Sequence, residues 1–101
     1  MSELSMTMVR IYLTEQSAHL DKLVTLLHEV EKVKGVTVFR GISGYGDSGE
    51  VHSASMIDLS LNLPIVVEFF DDTEKAQKIM SHLQENIKPG HIVSWPVNVS
   101  A

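Results

Sequence analysis

The chain has 101 residues, with 13 acidic against 8 basic side chains, a formal charge of -5 and no cysteine. That length makes one domain, residues 1–101, which buries only about 60–70% of its unfolded surface and gains from self-association. The acidic balance, with no basic cluster, argues against nucleic acid as a partner, and the missing cysteines exclude disulfides, thiolate metal sites and thiol catalysis.

Residues 6–13 alternate, with Val9, Ile11 and Leu13 against Met8, Arg10 and Tyr12, which is the period of a half-buried strand. Leu20, Leu23, Val24, Leu27, Val30 and Val33 then recur at helical spacing, with Ser17 as N-cap and Gly35 as the stop. The opposite face of that helix is charged: Asp21, Lys22, Glu29 and Glu31. Residues 36–42 predict a second strand. Residues 44–63 show no regular period, and a connection beyond about 12–15 residues is uncommon in a compact domain unless it has a task, so function is expected there.

Pro64-Ile65-Val66-Val67-Glu68-Phe69-Phe70 reads as a third strand with Pro64 at its entry, where a missing N–H is tolerated. Asp71-Asp72-Thr73-Glu74 opens a second helix with carboxylates at the positive end of its dipole. Ala76, Ile79, Met80, Leu83 and Ile87 form its buried stripe, and Pro89-Gly90 ends it. His91 to Val99 closes the set as a fourth strand, in which Pro96 predicts an edge position or a bend.

The order βαββαβ folds most economically as an α+β, ferredoxin-like plait: a four-stranded antiparallel sheet with two helices on one face. The helices are expected to cover Val9, Ile11, Val36, Val38, Ile65, Val67, Val93 and Trp95. The other face then carries Met8, Tyr12, Phe39, Val66, Phe70 and Ile92, interleaved with Arg10, Thr37, Glu68 and Ser94. Such a patch is larger than monomers commonly expose, which predicts a closed homo-oligomer with Arg10 and Glu68 paired near the interface.

Gly35-Val36-Thr37-Val38-Phe39-Arg40-Gly41, followed by Gly44-Tyr45-Gly46, resembles the second strand and loop entrance of the PII-like signalling proteins. The resemblance is greatest to a bacterial PII-like family of unassigned function. In that family the strand reads Gly-Val-Thr-Val-x-Arg-Gly, a His follows in the loop (His52 here), and Leu-Pro-Ile-Val starts the third strand (Leu63-Pro64-Ile65-Val66 here). It covers almost the whole chain. The resemblance implies a homotrimer with clefts between subunits, a ligand-responsive T-loop at residues 44–63, and no chemistry of its own. The related divalent-cation-tolerance proteins share the trimeric plait.

The expected ligand-binding set is Thr37, Arg40, Gly41, Gly44, Tyr45 and Gly46, with Lys88 and Gly90. Gly41, Gly44 and Gly46 permit positive φ and close backbone approach, so their N–H groups can form a concave anion site, although glycines so spaced also serve as plain flexible turns. Arg40 supplies a fixed cation with a planar fork, or else an intersubunit salt bridge. Nucleotide-binding PII proteins hold ATP phosphates with a basic loop before the fourth strand and arginines beyond it. Here the first place offers Lys88-Pro89-Gly90-His91, and the second, Asn98-Val99-Ser100-Ala101, holds no cation. The expected ligand is therefore less charged than ATP: AMP, a cyclic nucleotide or a small anion.

Val51, His52, Met56, Ile57 and Leu59 are the expected contact surface for a protein partner, and the resemblance points to a membrane transporter or channel. The alternative is a divalent-metal or anion-binding trimer of the cation-tolerance type, with His52, Asp47, Glu50 and Asp58 as candidate ligands. No nucleophile elbow, His-Glu-x-x-His helix or Walker loop occurs, and Ser43, Ser48, Ser53 and Ser55 have no base placed by sequence. Asp71 and Asp72 are explained as a helix start. A non-enzymatic protein without a resident cofactor is expected. Met1-Ser2-Glu3-Leu4-Ser5 has no charged and apolar leader pattern, and no apolar run approaches the roughly 18 residues that span a bilayer, so a cytoplasmic location is expected.

Overall fold

The computed structural model describes residues 3–15, 19–46, 49, 52, 53 and 63–101. In chain order the elements are β1 (Glu3–Thr14), α1 (Leu20–Thr25), which runs on as a π-helical segment at Leu26–Val30, β2 (Val36–Arg40), β3 (Ser43–Gly44), β4 (His52–Ser53), β5 (Pro64–Asp71), α2 (Thr73–Leu83) and β6 (Ile92–Ser100). Four of these strands form one sheet in the order β2-β5-β1-β6, every neighbouring pair antiparallel, and β3 and β4 form a separate ladder. This is the expected plait, with both helices on one face.

Alternation decides which side is covered. Val9 and Ile11 of β1 lie opposite Phe69 and Val67 of β5, and all four are buried against Leu27, Val33, Ala76, Ile79 and Leu83 from the helical layer. Thr7 extends the same face, its hydroxyl 2.9 Å from that of Thr73 at the start of α2. Asp71, 1% exposed, ends β5: its Oδ1 accepts the Asp72 N–H at 2.8 Å, and its Oδ2 lies 3.1 Å from Lys75 Nζ. A buried carboxylate needs such compensation, and these contacts tie Asp71 to the start of α2.

Three expectations change. In β6, Met8 pairs with Trp95 and Arg10 with Val93, so Trp95 and Val93 lie on the open face, and Ile92, opposite Ile11, faces the helices. A one-residue slip exchanges every side chain between faces. The strand runs unbroken through Pro96, tolerated because β6 is an edge.

The first helix does not continue to Gly35. Glu31 N–H bonds the Leu26 carbonyl five residues back at 2.9 Å, and this wider turn leaves Val30, expected to be buried, 67% exposed. The chain reverses at Lys32, with φ 56, where Lys75 Nζ donates to the Lys32 carbonyl at 2.7 Å. His19 is the observed N-cap residue; Ser17 lies outside the described residues. The α-helix of α2 likewise ends at Leu83, short of Pro89, and turns lead from Gln84 to Gly90.

β2 and β5 meet at a close contact. Gly41 N–H donates to the Pro64 carbonyl at 2.7 Å, and a Cβ on Gly41 would stand 2.7 Å from Pro64 Cγ. The proline ring cannot swing aside. Gly41→Ala is therefore expected to cost about 1–3 kcal/mol and to lower the thermal midpoint by roughly 5–15 °C, read by circular dichroism melting.

Candidate functional site

The base of the 44–63 segment is built on the β2 edge. Ser43 pairs with Ser53 and Gly44 with His52, so the segment begins with a short antiparallel ladder where no regular structure was expected. A Cβ on Gly44 would lie 3.3 Å from Pro64 Cγ, so Gly41 and Gly44 both sit against Pro64. Neither these two nor Gly46 has positive φ; among the described residues the positive-φ glycines are Gly49 and Gly90. The concave N–H site expected from Gly41, Gly44 and Gly46 is thus corrected in part: Gly41 serves close approach, and its N–H is already bonded within the chain.

Arg40 ends β2, opposite Ile65 of β5. Its Nε lies 2.9 Å from Glu15 Oε1, so its ion pair lies within the chain. Thr37 faces the other side of β2, opposite Glu68, and does not share a face with Arg40. Tyr45 is exposed, as is Ile42, a residue that sequence patterning did not single out.

Lys88 and Gly90 lie at the far edge. With Gln84, Ile87, Pro89 and Ile92 they line a hollow of about 400 Å³ beside the start of β6. Gly90, at φ 87, makes the turn, and His91 fixes it to β1: Tyr12 N–H donates to the His91 carbonyl at 2.9 Å, and His91 Nδ1 lies 2.9 Å from the Tyr12 carbonyl. Arg40 lies opposite Ile65, and Ile65 opposite Leu13 of β1. The two halves of the expected site therefore occupy the same end of the sheet on opposite edges, about 14 Å apart across three strand spacings. One chain does not bring them together.

A second hollow of about 410 Å³ opens between the helices, floored by Leu13, Leu23, Leu26, Leu83 and Ile87 and rimmed by His19, Lys22, His82 and Asn86. It depends on the gap between two packed helices, for which the sequence carries no local signal. His82 Nδ1 lies 2.9 Å from Glu31 Oε2, tying α2 to the end of the first helical segment.

The sheet face away from the helices is apolar around one ion pair. Tyr12, Phe39, Val93 and Trp95 are exposed there, and Met8, Val66 and Phe70 are half-buried. At the centre Arg10 Nε donates to Glu68 Oε2 at 2.9 Å, its Nη2 contacts the same oxygen, and its guanidinium carbon lies 5.2 Å from the Trp95 ring centre. The hydrogen bond that Arg10 donates to Glu68 raises the Arg10 pKa above its ordinary value. The pair expected at positions 10 and 68 is thus formed within the chain.

Val51, Met56, Ile57 and Leu59, and the possible metal ligands Asp47, Glu50 and Asp58, lie outside the described residues; His52 is described in its strand pairing alone. Among the described residues no group of three or more His, Asp or Glu side chains is placed to hold a metal, and no helix is long and apolar enough to cross a membrane.

Residues 6–99 match the model of the DUF190 family, described as an uncharacterized ACR. The UPF0166 protein of Aquifex aeolicus (strain VF5) is 32% identical over 92 residues, 91% of this chain and 94% of its own. The fold is similar to that of CPII, a nitrogen regulatory PII-like protein from Thiomonas intermedia K12 bound to ADP, AMP and bicarbonate, with a TM-score of 0.76, 19% identity, and coverage of 99% of this chain and 92% of that one. The divalent ion tolerance protein CutA1 from Ehrlichia chaffeensis is similar at a TM-score of 0.59 and 12% identity, covering 95% of this chain and 82% of its own. What these solved structures share with the chain is the plait.

Proposed function

The chain belongs to the DUF190 family and has the PII-like fold, and we propose that it acts as a trimeric sensor whose intersubunit clefts take an adenine nucleotide of low charge or a small oxyanion. The ligand changes the state of the 44–63 segment, and a protein partner reads that segment. The observation that carries this reading is the division of the site: Arg40 and Gly44 at the β2 edge, Lys88 and Gly90 beside the β6 edge, at one end of the sheet. In a closed ring the β2 edge of one copy meets the α2–β6 turn of the next, and a complete pocket forms at each seam. The open apolar face supplies the cohesion, with the Arg10–Glu68 pair leaving its centre without a lone charge to bury.

CPII is bound to ADP, AMP and bicarbonate. Carried to this chain, those ligands suit a site with one arginine and one lysine better than a triphosphate does. The site binds and does no chemistry, and the segment transmits the ligand only by the free energy with which the ligand prefers one of its states. A cytoplasmic location and a membrane transporter or channel as partner accompany this reading.

Light scattering should give three times the 11.2 kDa chain mass at micromolar concentration. Calorimetric titration should show AMP, ADP or bicarbonate binding in preference to ATP. A monomer, or a trimer that binds none of the three, sinks the reading.

A further inference from the structure

Glu15, beside the Gly41–Pro64 contact, reaches both ends of the 44–63 segment. It follows β1, and its backbone N–H donates to the carbonyl of Leu63, where the segment ends, at 3.0 Å. Its carboxylate Oε1, itself buried, lies 2.9 Å from Nε of Arg40, just before the segment begins. Arg40 is thus held by an internal oxyanion, although its side chain remains largely open to solvent. A carboxylate and a phosphate or carboxylate ligand are chemically equivalent partners for a guanidinium.

We infer that Glu15 is an internal competitor for Arg40, so that an incoming oxyanion which takes the guanidinium also releases the strap between the two ends of the segment. This rests on the sensor reading and supplies its coupling step. Exchange of one oxyanion for another at the same guanidinium leaves the charge on Arg40 compensated throughout. It frees the Glu15 side chain, and with it the end of β1 that holds Leu63. Glu15 also sets specificity: a ligand without an oxyanion gains nothing at Arg40 that Glu15 does not already provide.

The test titrates inorganic phosphate and AMP into wild type, Glu15→Gln and Glu15→Asp. Gln keeps the shape and removes the charge; Asp keeps the charge and withdraws it from Arg40. Both variants should bind phosphate about five- to tenfold more tightly than wild type, and phosphate should accelerate hydrogen exchange at the wild-type residue 15 amide. Tighter binding by Gln with none by Asp assigns the gain to net charge and overturns the inference, as does wild-type affinity in both variants. Binding of neither probe to wild type or to either variant overturns the sensor reading and this inference with it, whereas equal binding by all three overturns the inference alone. Melting curves close to wild type establish that both variants are folded.

Discussion

Replacing Trp95 with glutamate is expected to give a folded monomer that no longer binds AMP. Trp95 is 37% exposed on an edge strand, packs on Arg10 across the open face and contributes nothing to the buried core, so the substitution leaves the helical side intact. It places a second carboxylate near the Arg10–Glu68 pair, where one guanidinium now faces two anions. Burying that uncompensated charge at a subunit seam costs about 3–5 kcal/mol per copy, and a closed ring repeats the penalty at every seam. Light scattering should report the mass of one chain, with circular dichroism unchanged. Loss of AMP binding should follow without any change at Arg40 or Lys88, because the two halves of the pocket stand on opposite edges of one sheet. An intact trimer would show that the open face is not the seam.

The strands β1 and β5 were legible because each carries apolar residues on one phase and mixed residues on the other, a pattern with a single solution. β6 was not. In Ile92-Val93-Ser94-Trp95-Pro96-Val97-Asn98-Val99 the alternation is clear, with Val93, Trp95, Val97 and Val99 on one phase, but alternation does not say which side of the sheet that phase faces, and pairing with β1 turns it to the open face. The first helix failed for a related reason: a π turn breaks the 3.6-residue count that placed Val30 in the core, and the reversal at Lys32 is supported by a lysine from α2 that lies far away in sequence.

For the site, residue types were legible and their partners were not. Gly41 was marked by its context, yet its reason is the ring of Pro64 rather than an unusual φ. Arg40 was marked as the fixed cation, while Glu15, which holds it, sits in a sequence context that resembles any polar end of a strand. Contacts between residues distant in sequence are created by strand order, and strand order follows from the whole plait rather than from a local pattern. The same logic explains why Lys88 and Gly90, at the same end of the sheet as Arg40, do not meet it within a chain.

Arg40→Ala is expected to weaken phosphate and AMP binding by about 30- to 100-fold, the worth of a charge-assisted, two-pronged contact, while the oligomer stays intact because Arg40 lies off the open face. It should also lower stability by about 1–2 kcal/mol, since Glu15 Oε1 is buried and loses the cation that faces it. The two losses have different causes and separate cleanly. Adding Glu15→Gln to Arg40→Ala removes the orphaned charge and should restore most of the stability, seen in urea denaturation, yet none of the affinity. Arg40→Lys keeps the charge without the fork and should fall between, near a tenfold loss. Should the double variant regain affinity as well as stability, Arg40 acts on the ligand through the fold of the segment's base, and the oxyanion contact belongs to another residue.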